Sequence, residues 1–269
     1  MSFFPLCNIK NTEGSCTVYN YSPNNWEKVS TGEKDLWALY SNGHQWITKK
    51  ICKINEGDSK TLYYKDFDLQ TNDHVSPLIV LQLRKTPIKP ELSDLPANEF
   101  KFSSSPEWRS TVAFSYKESK TSYQGEINPF PLKATLLTFH PFIQYCDIEN
   151  YFVFVNFESS PIYRHTTIEI YDSITKKFID EVEVRSNSVN VFPLNKYNIK
   201  QETLPIFLCR NMAGIPFGFG INYSGPMLSL EHTHPPASFV VHGSRFSLQR
   251  EIKKSWFEIL NKNENYKKV

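Results

Sequence analysis

Charge of one sign is the first thing this sequence lacks. Its 30 Lys and Arg residues against 28 Asp and Glu leave a formal net charge of +2, and the lysines are scattered among the acids. That excludes the basic stripe from which nucleic-acid binding draws its affinity. Long apolar runs are missing too, and no stretch approaches the roughly 18 residues that a spanning helix requires. The opening MSFFPLCNIKN has an apolar patch but no basic leader, no long hydrophobic stretch and no small-residue cleavage site. The five cysteines, Cys7, Cys16, Cys52, Cys146 and Cys209, are far apart and include no C-x-x-C pair. Neither a zinc finger nor a disulfide framework is expected from them. They read as free thiols in a reducing compartment, so the expectation is a soluble cytoplasmic protein without a transmembrane segment. Catalytic signatures are absent as well: no G-x-S-x-G, H-E-x-x-H, Walker or dinucleotide-binding glycine motif occurs.

What is present in quantity is aromatic: 20 Phe, 14 Tyr and 5 Trp in 269 residues. A chain so equipped can bury a core large enough to offset its lost conformational entropy. Segments such as TIEIY, DEVEVRS and TVAFSY alternate or run apolar and are cut off by Gly, Pro, Asn and Ser, which is the pattern of strands. Asn42–Gly43 between two strand-like runs marks a hairpin. The three glycines of GIPFGFG (214–220) mark close backbone packing or a bulge. One helix is expected, over about 246–262. Leu248, Ile252, Trp256 and Ile259 form its apolar stripe, and it should cover a sheet edge or face of the second half.

The chain also resembles itself. Residues 114–129 align with 221–236 at an offset of 107, setting Tyr116 on Tyr223 and Ser122 on Ser229. In the same order, 18–26 resembles 153–163, 36–47 resembles 167–179, 77–85 resembles 204–211, and 134–142 resembles 237–246. The fold class expected is all-β: two tandem, similar β-sandwich modules from an internal duplication, with one short C-terminal helix. The modules are drawn at 1–146 and 147–269, the first carrying a loop insert at about 86–108 that is rich in Pro, Ser and Asp. Two such modules can face each other across a pseudo-twofold axis, which makes the cleft between them the default binding site.

The histidines of SLEHTHPP are the strongest chemical signal. Residues i and i+2 of a strand share a face, so His232 and His234 could both reach one divalent ion. Glu231 points the other way, so a third ligand would have to come from His242 or His140. The glycines that precede the H-x-H of cupin-type jelly rolls are missing, and no family is assigned. A strand end stopped by Pro235–Pro236 explains the stretch without metal. His44, His74 and His165 stand alone and receive no role. Trp26 and Trp108 lie in polar, loop-like surroundings suited to stacking on a sugar ring or anchoring a protein. The reading is a non-enzymatic binding protein with no cofactor, its ligand a carbohydrate or glycoconjugate or else a protein partner. The candidate binding residues are Trp26, Trp108, Glu231, His232 and His234. The alternatives are a metal-dependent enzyme at His232, His234, His242 and His140, and a structural subunit of an assembly.

Overall fold

Short runs of Val, Ile, Phe and Tyr, each ended by a turn former, place most of the chain in strands. The computed structural model describes residues 3–9, 11–20, 32–72, 74–97, 110–140, 147–197, 199, 204–232 and 245–264. Its strands are β1 (Phe4–Leu6), β2 (Glu13–Tyr19), β3 (Lys34–Ser41), β4 (Trp46–Ile54), β5 (Ser59–Tyr63), β6 (Val75–Pro77), β7 (Ile79–Arg84), β8 (Glu91–Leu92), β9 (Ser110–Tyr116) and β10 (Ser119–Gly125). There follow β11 (Leu136–Phe139), β12 (Ile148–Val155), β13 (His165–Asp172), β14 (Phe178–Arg185), β15 (Ser188–Pro193), β16 (Pro205–Cys209), β17 (Ile215–Asn222), β18 (Met227–His232) and a helix, α1 (Arg245–Glu264). The protein is all-β apart from that helix. No helix among the described residues is long and apolar enough to cross a membrane.

The strands form four antiparallel sheets. Sheet I runs β1-β7-β3-β4-β8 and sheet II β10-β9-β2-β5, while sheet III runs β11-β16-β13-β14 and sheet IV β18-β17-β12-β15-β6. Without β6 and β8, the order of the second pair repeats the first strand for strand. Four of the five resembling sequence blocks fall on corresponding strands: β2 with β12, the β3–β4 hairpin with β13–β14, β7 with β16, and β9–β10 with β17–β18. The block at 134–142 does not. It holds β11, whose counterpart by order is β1, and residues 237–244 lie outside the described residues.

Strand pairing also crosses the boundary drawn at residue 146. Leu136 pairs with Cys209 and Phe139 with Ile206, so β11 belongs to the second half although it precedes residue 146. A four-residue strand before a proline carries no sequence period to say which sheet it joins. In the opposite sense, β6 leaves the first half and pairs with β15, Val189 standing opposite Ser76. The insert at 86–108, described as far as Ala97, is only partly a loop excursion. Glu91 and Leu92 add an edge strand to β4, held by the Thr48 amide donating to Pro90 O at 2.8 Å. Prolines at 87, 90 and 96 hid this strand, and they are tolerated because it is an edge.

The central strands of sheet IV, β17, β12 and β15, are buried on both faces. Phe152 and Phe154 pack with Leu136, Ile168, Ile170 and Phe207 of sheet III. Tyr151, Val153 and Val155 join a second cluster with Leu39, Val112 and Phe114 of sheets I and II. A packed core therefore occupies the space where the sequence suggested a cleft between modules, with Phe114 edge-on to Phe219 at 5.6 Å and Trp46 to Phe157 at 5.7 Å. The predicted Asn42 hairpin sits at this junction. Gly43 has φ +92, and a Cβ there would lie 3.0 Å from the Tyr163 ring. Tyr163 donates its hydroxyl to Ser41 O at 2.6 Å, and Trp46 Nε1 donates to Ser159 O at 2.9 Å. GIPFGFG marks close packing as expected, since a Cβ on Gly214 would meet Phe154 and Val155 O at 2.5 Å.

The helix covers the outer face of sheet III, but it is rotated from the expected stripe. Trp256, Phe257 and Leu260 pack on Leu137, Phe139, Tyr171, Phe178, Ile206 and Leu208, whereas Ile252 and Ile259 are 48% and 40% exposed. Two adjacent aromatics bury more surface than the spaced isoleucines do, and polar contacts fix the rotation. Arg210 Nε donates to Glu169 at 2.7 Å and its Nη1 to Asn261 Oδ1 at 2.6 Å. Lys176 lies 4.0 Å over the Trp256 ring.

Candidate functional site

Glu231 and His232 end β18. His232 stands opposite Phe217, half-buried against the rings of Phe217 at 6.2 Å and Tyr123 at 4.8 Å. Glu231, one residue earlier, is exposed and opposite Gly218. Trp26, Trp108, His234 and His242 lie outside the described residues. His140 packs edge-on to Phe152 and Phe207, which puts it on the sheet III side of sheet IV. Phe217 and Phe152 point to opposite faces of sheet IV, as their adjacent registers require. The structure therefore does not bring His140 and His232 to one point. Among the described residues, no group of three His, Cys, Asp or Glu side chains is placed to hold a metal ion.

His140 has a different consequence. Its side chain is 1% exposed, and neither ring nitrogen has a hydrogen-bond partner among the described residues. Burial alone pushes its pKa down to about 4, because an imidazolium there would lose its hydration. The folded protein therefore keeps the ring neutral, while the unfolded chain takes up a proton as pH falls through about 6.5. Its contribution to stability is whole above that pH and is lost progressively down to pH 4, at about 1.4 kcal/mol per pH unit. Urea unfolding of the parent and of His140→Leu at pH 7.5, 6 and 5 should show a steeper acid loss in the parent. Equal slopes would refute this account of His140.

A depression of the surface lies elsewhere, where the outer strands of sheets III and IV meet. The Asn72 side-chain oxygen accepts from the amides of His74 and Val75 at 2.9 and 2.5 Å, an Asx turn that aims the chain into β6. Val191 N–H donates to His74 O at 2.8 Å and fixes that segment beside β15. Between β6, β14, β15 and the 3₁₀ turn Leu194–Lys196 is a groove of about 450 Å³. Phe192 and Tyr197 supply its ring surfaces, and Asn72, His165, Glu183 and Arg185 its polar wall. A polar hollow of about 240 Å³ adjoins it and shares Asn72 and His74.

Strand chemistry sets this wall. His165 and Arg185 are paired across β13 and β14, and His165 Nδ1 lies 2.6 Å from Glu183 Oε1 on the diagonal. Arg185 is held three ways. Its Nε donates to Ser188 Oγ at 2.9 Å, its guanidinium lies 4.1 Å over the Tyr163 ring, and Asn190 Oδ1 accepts from its backbone amide at 2.9 Å. These residues come from sequence positions 72 to 197 and form no local motif. The one advance signal was the DEVEVR alternation, whose acids Glu181 and Glu183 face solvent.

Comparisons with protein-family models, with curated proteins and with solved structures give no match. The site is accordingly read from its own chemistry.

Proposed function

We propose that the protein acts by binding and that a carbohydrate or glycoconjugate occupies the groove between β6, β14 and β15. The observation that carries this reading is the juxtaposition of the Tyr197 ring with Asn72, His165, Glu183 and Arg185 around one open groove of about 450 Å³. Sugars offer an apolar C–H face and a rim of hydroxyls. A ring surface beside planar donors and acceptors answers both, and the volume falls within the range of small-molecule sites. The repeated strand order further supports an internal duplication in which only the second half kept this place open. In the first half the corresponding edge, that of β4, is covered by β8.

Screening of the full chain on a glycan array, followed by NMR titration with the best hit, tests the proposal. The resonances of Tyr197 and His165 should move on binding, and Tyr197→Ala should weaken affinity about tenfold, the loss of one stacked ring. An array without hits, or a hit that leaves the groove resonances unmoved, would sink the proposal.

A further inference from the structure

We infer that the groove recognises an anionic group on its ligand, a carboxylate or phosphate, through Arg185 and Lys196. The inference rests on the proposed site, and it implies that an acidic sugar is preferred to a neutral one. Arg185 is prepared for such a group before any ligand arrives. Ser188 Oγ takes its Nε at 2.9 Å and the Tyr163 ring supports one face at 4.1 Å. Asn190 pins its backbone from both sides, accepting from the amide at 2.9 Å and donating to the carbonyl at 3.0 Å. Among the described residues nothing engages its two Nη groups. A guanidinium tied at one edge and open at the other presents the two-pronged donor that matches a carboxylate or phosphate. Because its side chain is already ordered, binding costs less entropy than with a free arginine.

The rest of the wall agrees in sign. Lys196 lines the same groove, exposed at the end of the 3₁₀ turn, and among the described residues it makes no ion pair. His74 adds a donor from the β6 side. The acid of the wall, Glu183, is already engaged by His165 Nδ1 at 2.6 Å. A neutral ligand would leave the Arg185 fork and the Lys196 ammonium hydrated but unused.

Isothermal titration of the full chain with glucuronate, glucose and inorganic phosphate separates the possibilities. Glucuronate should bind about tenfold or more tightly than glucose, and the advantage should shrink as salt is added. Arg185→Lys, which keeps the charge but loses the fork, should weaken glucuronate about tenfold, and the exposed Lys196→Gln about threefold. Equal affinity for glucose and glucuronate would overturn the inference while leaving the sugar reading intact. Phosphate binding as tightly as glucuronate, with no neutral glycan bound, would support the anion site and defeat the sugar reading. No binding of either anion would overturn the inference.

Discussion

Gly14→Ala is expected to destabilise the protein by about 3 kcal/mol or more, a fall in Tm on the order of 10 °C. A Cβ at residue 14 would stand 1.9 Å from the carbonyl oxygen of Cys7 and 3.2 Å from Asn8 Cα. Those are backbone atoms, so no rotamer change relieves the overlap. The segment they belong to cannot retreat either, because Cys7 and Ile9 are 1% and 0% exposed in the core. Asn8 moreover binds Gly14 directly, its Oδ1 accepting from the Gly14 amide at 2.9 Å. Gly225→Ala is the matched control: a Cβ there would meet nothing nearer than 3.7 Å, and a change within about 0.5 kcal/mol is expected. Thermal and urea unfolding of both variants decide the matter. A Gly14→Ala protein as stable as its parent would show that β2 and the Cys7–Asn8 segment do not approach this closely.

The fold was legible where it is repetitive. Strand patterns, the Asn42 hairpin and four ordered sequence resemblances all fall on strands that occupy matching places in the sheets. They were readable because period-two burial writes each strand locally. What resisted reading is long-range. Nothing in VSP says that Val75–Pro77 leaves its own half to pair with Ser188–Asn190. Likewise nothing in LLTF says that Leu136 pairs with Cys209. A strand of three or four residues has no phase long enough to name its partner. The helix shows the same limit in another form. Its existence followed from spacing, but its rotation is decided by Trp256, Phe257 and the Arg210 contacts on a sheet that the sequence could not position.

The candidate site was less legible than the fold. His232 and His234 stand out because they lie two apart in one short stretch, whereas the groove draws Asn72, His165, Arg185 and Tyr197 from four separate strands and turns. His165 looked isolated, yet its partner Glu183 lies only one hairpin away, across the β13–β14 ladder. Charged residues two apart on an edge strand, facing a histidine on its neighbour, are the signal that sequence reasoning could have used.

Arg164→Ala is expected to cost about 3 kcal/mol and to loosen the groove as well. The Glu158 side chain is 1% exposed and that of Arg164 34%, so the carboxylate is the partner that cannot return to water. Arg164 meets it with both prongs, Nε donating to Oε2 at 2.8 Å and Nη2 to Oε1 at 2.5 Å. Nη2 also donates to Leu132 O at 3.3 Å and to Asn211 O at 3.2 Å, tying two further loops to the pair. Truncating the arginine strands a buried charge. The partial exposure of Arg164 lets water replace some of its contacts, which keeps the loss at the lower end for a buried pair. Arg164→Lys should recover only part of it, since one ammonium cannot serve both carboxylate oxygens and two carbonyls. Replacing both residues by leucine should be less damaging than Arg164→Ala alone, because no unpaired charge remains. Urea unfolding across this cycle should give a coupling of about 2 kcal/mol, and a coupling near zero would show the pair to be incidental. Arg164 sits between Tyr163, which supports Arg185, and His165, which holds Glu183, and its amide donates to Ser186 Oγ at 2.8 Å. The His165 resonances should therefore shift in Arg164→Ala and stay in place in Gly14→Ala, even though both variants are destabilised.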